Sequence, residues 1–303
     1  MVKQWHLAHT SHTPSGNLHT PSTGLGSQIG EAVFLGPLGK KSAYVNTYSP
    51  QLLCPVARAL ARNALGFRDP LPFAGLDIWN GFELSWLNPK GKPEIALVEI
   101  CFPCSSPYLI ESKSLKLYLN SFNQSPFASM KQVERIIEED LRQASEEEAT
   151  SVRLLPLCTS HLPLEPFAGT CLDGLDIATN SYCVEPRFLV TTAEPAPVNE
   201  AVYSHLFKSN CLATGQPDWG SLFIHYAGKK IAHEGLLKYL ISFRNHSGFA
   251  EHCVEQIFFD VSSRCLPDKL TVYARYTRRG GLDINPFRSN WEKNPLNKRQ
   301  IRQ

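Results

Sequence analysis

The 303-residue sequence is informative first in what it lacks. No apolar run approaches the ~20 residues needed to cross a bilayer. Met1 to Gly30 has no apolar core followed by a small-residue cleavage site, the pattern of a secretory leader. These absences lead us to expect a soluble, cytoplasmic protein with no membrane partner. Charge is nearly balanced: 30 Lys and Arg against 28 Asp and Glu leave a formal net charge of +2. A general nucleic-acid binder usually carries a basic domain, so no direct nucleic-acid partner is expected. No Gly-x-Gly-x-x-Gly follows a strand-like run, so a dinucleotide would not be held in the Rossmann manner. Cys101-Phe-Pro-Cys104 has metal-like spacing, but no second cysteine pair follows at finger-like distance. It closes a strand-like run, so we expect buried thiols there and no metal. The nine cysteines are odd in number and scattered, which fits reduced thiols rather than a disulfide scaffold.

What is present is enough to bury a core, with 43% hydrophobic and 19% charged residues. The length suggests two domains or one large one. Residues 7–28 are rich in Ser, Thr, His and Gly and read as a mobile tail, with Thr23–Phe34 able to dock. Asp77–Leu87 reads as a strand, Asn88-Pro-Lys-Gly-Lys-Pro93 as a turn, and Glu94–Phe102 as the partner strand of a hairpin. Ser112–Phe122 and Met130–Ala144 have the apolar spacing of amphipathic helices, and Ser151–Leu157 returns as a strand. The second half repeats this order. Leu222–Tyr226 is a strand with a turn at Ala227-Gly-Lys-Lys230, Glu234–Phe243 and Glu251–Cys265 are helices, and Leu270–Tyr276 is the returning strand. Residues 160–210 join the halves and hold another strand or two. Two such units in tandem predict a duplicated α+β module.

Four segments carry candidate chemistry. Cys211 is preceded by Lys208 and Ser209 and followed by Asp218, past Gly215 and Pro217. Gly and Pro imply a turn that returns Asp218 toward the thiol. A thiol, a carboxyl group and a nearby cation make a thiolate nucleophile with a proton donor. The alternative is a buried apolar thiol, with Asp218 capping a turn before Trp219. In Ile110-Glu-Ser-Lys-Ser-Leu-Lys-Leu-Tyr118, Ser112 suits an N-cap that leaves backbone N–H groups free for an anion. Lys113 and Lys116 lie on neighbouring parts of one helix face. Glu111, just before the helix, can accept paired N–H donors from a purine-like ring. The alternative is a capped surface helix with solvated lysines. Tyr276-Thr-Arg-Arg-Gly-Gly281 ends a strand with two guanidinium groups and two glycines, which fits a nucleotide phosphate or a basic hairpin tip. The basic residues as a whole collect around Lys113–Lys116 and Arg275–Arg279. Glu251, in Phe249-Ala-Glu-His-Cys253, is either a capping carboxylate or a second ligand for a purine edge.

Taken together, Glu111-Ser-Lys-Ser-Leu-Lys-Leu-Tyr118, Ser209-Asn-Cys-Leu with Gln216-Pro-Asp-Trp-Gly220, and Tyr273-Ala-Arg-Tyr-Thr-Arg-Arg-Gly-Gly-Leu-Asp-Ile-Asn-Pro286 resemble one family. It is QueF, the NADPH-dependent 7-cyano-7-deazaguanine reductases, in its long, two-module form. The similarity runs from about Gly24 to the C-terminus. It implies two tandem tunnelling-fold (T-fold) modules, each an antiparallel sheet backed by a helix pair, after a tail at 1–30. The first module would span 31–180 and the second 181–303, and two chains would form a homodimer. It implies reduction of 7-cyano-7-deazaguanine to the aminomethyl compound on the path to queuosine in tRNA, with two NADPH per turnover and no metal. The resemblance implies Cys211 as the nucleophile that forms a thioimide and Asp218 as its proton partner. Ile110, Glu111, Ser112 and Glu251 would hold the substrate. Ser112, Lys113, Arg279 and Gly280 would hold NADPH. One position departs from the family pattern: the histidine usual before the residue matching Glu251 is Ala250 here. We therefore expect thioimide formation with slow turnover, unless His246 or His252 compensates. His252 is two positions along the helix and points away from the direction of Ala250.

Two other functions fit parts of the pattern. A GTP cyclohydrolase-like metal hydrolase would need a metal set such as His246, His252 and Cys253. A non-catalytic purine- or pterin-binding protein would have no use for both Cys211 and Asp218.

Overall fold

The computed structural model describes residues 44–158, 164–194, 196–212, 214–293 and 295–303. The expected tail at 1–30 and the docking of Thr23–Phe34 lie outside the described residues. In chain order the first half contains β1 (Pro55–Ala57), α1 (Ala59–Leu65), β2 (Ala74–Leu87), β3 (Pro93–Pro103), β4 (Tyr108–Ile110), α2 (Ser112–Ser121), α3 (Met130–Ser145) and β5 (Ser151–Leu155). The second contains β6 (Thr170–Cys171), β7 (Val198–Ser204), β8 (Lys208–Asn210), β9 (Pro217–Gly228), α4 (His233–Ser242), α5 (Ala250–Cys265), β10 (Lys269–Tyr276) and β11 (Leu282–Ser289).

Local sequence accounts for most of these elements. β3 alternates along its length, burying Ala96, Val98, Ile100 and Phe102 on one face. Asn88 closes the preceding turn by accepting the N–H groups of Lys90 and Lys92 at 2.9 and 3.1 Å. α3 buries Val133, Ile137 and Leu141, four residues apart, and starts at Ser129, whose side chain accepts the N–H of Gln132. The duplicated order reaches the side chains. Tyr118 of α2 donates to Asp140 of α3 at 2.5 Å, and Tyr239 of α4 donates to Asp260 of α5 at 2.6 Å. Ser121 and Ser242, three residues after each tyrosine, donate to its carbonyl at 2.6 Å.

The strands form one continuous sheet in the order β5-β3-β2-β11-β10-β9-β7-β6, with β8 also on β9. Two apolar cores lie against it. One joins Val98, Ile100, Leu115 and Ile137, and the other joins Ile224, Leu236, Ile257 and Val272. The second-half hairpin differs from expectation, because the partner of β9 is β7, which precedes it, while Ala227-Gly-Lys-Lys230 leads into α4. The strand that sequence patterning missed is β11, Leu-Asp-Ile-Asn-Pro-Phe-Arg-Ser. A central proline and four polar residues argue against a strand. Yet β11 pairs with β2 along its length, from Leu282 opposite Gly81 to Ser289 opposite Ala74. Its ladder to β10 stops at Phe287, one residue short of Pro286, which has no N–H to donate.

The polar residues of β11 are there because the two halves meet at this strand. Arg288 donates to Asp77 of β2 and Glu255 of α5, at 2.8 Å each. Arg58 donates to Asp77 at 2.6 Å, and Arg62 to Glu255 at 2.7 Å. Asp77, Glu255, Arg58 and Arg288 are each at most 1% exposed at the side chain. Gly75 permits the approach of β2 to β11, since a Cβ there would lie 1.9 Å from the carbonyl oxygen of Phe287.

Burial alone would raise the Glu255 carboxyl, but Arg288 and Arg62 outweigh it and hold the group at about 2. That lies below the ordinary glutamate value of ~4.3, so the stabilisation is fully present above ~4.3 and is lost as pH falls toward 2. Glu255→Ala leaves Arg288 and Arg62 facing a buried void of charge. It should cost about 3–5 kcal/mol in urea unfolding at neutral pH, with the gap to the native protein closing in acid.

Candidate active site

All of the expected site residues but Glu111 line one cavity of about 320 Å³. Its walls come from the start of α2, the β8–β9 loop, the start of α5 and the β10–β11 turn, with Trp79 added from β2. β8 and β9 are antiparallel, with Ser209 opposite Asp218 and Asn210 opposite Pro217. The loop closes with the N–H of Cys211 donating to Gln216 O at 2.8 Å and that of Gly215 to Cys211 O at 3.0 Å. Gly215 has φ +64°, the left-handed conformation that glycine adopts without strain. Cys211 and Asp218 thereby line the same cavity. The half-buried Cys211 also packs beside Val56 and Leu109 of the small β1–β4 sheet.

The cation beside the thiol is Arg279. Lys208, the cation expected from sequence, donates instead to Asn210 Oδ1 and the Arg244 carbonyl, both at 2.6 Å. The Arg279 guanidinium pairs with the Asp218 carboxylate, donates to Gln216 Oε1 at 3.0 Å, and interacts with the Cys211 sulfur. Burial pushes the Asp218 carboxyl above its ordinary value, against Arg279 and Lys208, which pull it down. A carboxyl so placed suits a proton donor.

Glu251 sits in the first turn of α5 at 1% exposure, and its Oε1 has no hydrogen-bond partner. Burial, with the negative charge of Asp77 adding to it, pushes this carboxyl up to about 7, while Arg58 and Arg288 pull it down. Ile110, Ser112 and Lys113 line the facing wall, with Arg279 and Gly280 at the turn. That turn is a two-residue Gly-Gly hairpin with φ +58° at Gly280 and +77° at Gly281, and Arg279 and Leu282 exchange N–H···O bonds across it. Lys116, on the same wall, is ion-paired with Glu83.

Several expectations need correction. The N-cap of α2 is Glu111, not Ser112, and its carboxylate accepts the N–H groups of Lys113 and Ser114 at 2.7 and 2.8 Å. The helix start therefore satisfies its own donors rather than leaving them for an anion. Glu111 is fully buried and does not reach the cavity surface. Arg275 leaves the expected basic cluster: it is 1% exposed and donates to Gln303, Tyr273 and Asn297. Neither His246 nor His252 lines the cavity. Burial lowers both rings, His252 to about 4, and His252 packs its ring against Phe249. Ala250 itself lines the cavity without either ring. Among the described residues no group of three His, Cys, Asp or Glu side chains is placed to hold a metal. Cys104 is buried and Cys101 half-buried.

Sequence reasoning missed Trp79, Thr214, Gln216 and Phe249 as walls of the cavity. Trp79 arrives from β2, which carries no catalytic motif. Only knowledge of the β2–β11 pairing would have placed it here.

A half-buried thiol, a raised carboxyl and a buried carboxylate with an open oxygen, gathered around one cavity, are the make-up of a thiol-bearing enzyme cleft. The family model described as "Nitrile reductase, 7-cyano-7-deazaguanine-reductase N-term" matches residues 44–154, and that described as "QueF-like protein" matches residues 217–295. The NADPH-dependent 7-cyano-7-deazaguanine reductase of Paraburkholderia phytofirmans is 54% identical over 84% of this chain and 93% of its own. That of Burkholderia thailandensis is 50% identical over 88% of this chain and 98% of its own. The crystal structure of the archaeosine synthase QueF-Like in the apo form aligns with 34% of this chain and 98% of its own, at 16% identity and a TM-score of 0.28. The chain belongs to the family of NADPH-dependent 7-cyano-7-deazaguanine reductases.

Arg279 is the group whose removal isolates the electrostatics of Asp218. Arg279→Met should push the Asp218 carboxyl further above its ordinary value, because the guanidinium that pulls it down against burial is gone. Titration of the Asp218 carboxyl by carbon NMR in the native and Arg279→Met proteins checks this, and an unmoved carboxyl refutes it.

Proposed function

We propose that the protein is an NADPH-dependent nitrile reductase that converts 7-cyano-7-deazaguanine to 7-aminomethyl-7-deazaguanine in queuosine biosynthesis. Family membership supports the reaction. The observation that carries the residue assignment is the meeting of Cys211, Asp218 and the open oxygen of Glu251 on one cavity.

In this reading Glu251 takes the N–H donors of the deazaguanine edge, and Ile110 and Ser112 face the ring from the opposite wall. Glu111 acts through the start of α2, which its carboxylate holds in shape. The Cys211 thiolate attacks the nitrile carbon. A C–S bond forms, one π bond of the C≡N group opens, and Asp218 gives its proton to the nitrogen. The thioimide so formed is electrophilic at carbon, which the nitrile was not. NADPH, when bound, supplies a hydride at each of two reduction steps, so nitrile, two NADPH and two protons give amine and two NADP⁺. Between those steps the C–S bond breaks, and Cys211 leaves as a thiolate beside Arg279. That leaves an imine, whose contact with water the apolar walls Trp79, Leu212 and Phe249 limit.

The donor set at the mouth fits the cofactor. Lys113 and Arg279 are suited to its phosphates, Ser112 adds a hydroxyl, and Gly280 lets the ligand approach the backbone. We further propose two T-fold modules, 31–180 and 181–303, whose duplicated hairpin, helix pair and strand support the division, and a cytoplasmic homodimer.

Cys211→Ala should abolish both the covalent adduct with 7-cyano-7-deazaguanine, followed by mass spectrometry, and substrate-dependent loss of NADPH absorbance. The alanine at position 250 leads to a second expectation. The native chain forms the Cys211 adduct fully but oxidises NADPH slowly, and Ala250→His raises the steady-state rate by about tenfold. Rapid native turnover that Ala250→His leaves unchanged would refute it.

A further inference from the structure

Among the buried polar atoms without a partner in and around the cavity wall are Arg58 Nη1, Glu251 Oε1 and His252 Nε2. Arg58 is 1% exposed, with its other nitrogens fixed by Ser106 Oγ at 3.0 Å and Asp77 Oδ2 at 2.6 Å. It follows directly on β1, whose Val56 packs in one cluster with Leu109, Cys211 and Phe249. Arg58 is itself the N-cap of α1, and it lies two residues beyond Val56 as Glu251 lies two residues beyond Phe249, so both flank this one cluster.

The charges around it do not balance without Glu251. Arg58, Arg62 and Arg288 face Asp77 and Glu255, three cations against two carboxylates. His252, its ring depressed by burial, adds no charge at neutral pH. The buried thiol of Cys253 also adds none, since burial pushes it up to about 12. Ionised Glu251 is the third carboxylate. An uncompensated buried charge is costly, so Arg58 and Arg288 pull Glu251 toward the anion, against the burial and the Asp77 charge that raise it to about 7.

We infer that Arg58 is a positioning residue for substrate binding, acting through Glu251: its guanidinium completes a buried set of three cations and three carboxylates and so draws the cavity carboxylate toward the anion that accepts the donors of the heterocycle. This rests on Glu251 being the substrate carboxylate.

The groups facing Glu251 are Arg58 beyond β1, Asp77 on β2, Arg288 on β11 and Cys253 on its own helix. Loss of Arg58 leaves Asp77 less compensated, and both changes disfavour the anion. The experiment is the pH dependence of KM and kcat for 7-cyano-7-deazaguanine between about pH 6 and 9, in the native protein, Arg58→Lys, Arg58→Met and Glu251→Gln. In the native protein 1/KM rises with pH as Glu251 ionises. Arg58→Met should move that rise upward by about one pH unit, Arg58→Lys should keep it near the native position, and Glu251→Gln should raise KM by about tenfold and remove the rise. A profile in folded Arg58→Met that superimposes on the native one, with Glu251→Gln impaired, overturns the role of Arg58 alone. Unchanged KM in Glu251→Gln overturns the substrate assignment beneath it. Should Arg58→Met be too unstable to purify, Asp77→Asn removes the opposing charge, and the rise must move downward. No displacement there also refutes the inference.

Discussion

Arg288 holds Asp77 with one nitrogen and Glu255 with another, and those two carboxylates belong to opposite halves of the chain. The apolar cores on either side could each pack alone, but neither would fix the other's position. Apolar contacts are non-directional, whereas a guanidinium fork has a defined geometry. Exchanging such a cluster for packed hydrophobes is often neutral for stability, so its main contribution here is register. β11 must lie where Arg288 reaches both partners, and α5 must enter the interface at Glu255. Glu251, one turn earlier on the same helix, is thereby aimed into the cavity.

The division of labour in the site follows from that placement. The β8–β9 hairpin carries the Cys211 thiol and the raised Asp218 carboxyl together, so their mutual geometry depends on a single tight loop. The carboxylate with the open oxygen and the basic mouth come from other elements and are brought to the hairpin by the sheet. Arg279 serves both sets. Its position at the start of a Gly-Gly turn lets one guanidinium touch Asp218, Gln216 and Cys211. At Gly281 a Cβ would meet only the end of the exposed Glu83 side chain, so its φ of +77° is what calls for glycine.

Much of this was legible in the sequence because it is local. Periodicity marked β2, β3, α2, α3, α4, α5 and β10 to within a few residues, and the motifs named the residues that gather at the cavity. What was not legible depends on long-range pairing. β11 reads as a loop because its side chains answer to charges on β2 and α5, and Trp79 reads as core because its strand carries no motif. The capping of α2 by Glu111 was misread because a glutamate before a serine gives the serine the better local claim. Only burial of the carboxylate against its own helix start decides otherwise. Lys208 was misassigned for a similar reason: nearness in sequence pointed to it, while the sheet delivered Arg279.

The pairing of β2 with β11 also has a consequence in time. The two strands are separated by about two hundred residues of chain, a loop-closure cost that is met late and slows folding. During synthesis β2 and β3 emerge early, and the edge of β2 that will receive β11 stands open until residues 282–289 follow. Unpaired edges invite pairing with other chains. Asp77 and Asn80 lie on this strand, and before their partners arrive a charge and an amide there oppose apolar association. The residues that later join the halves are thus of a kind that guards the unfinished sheet.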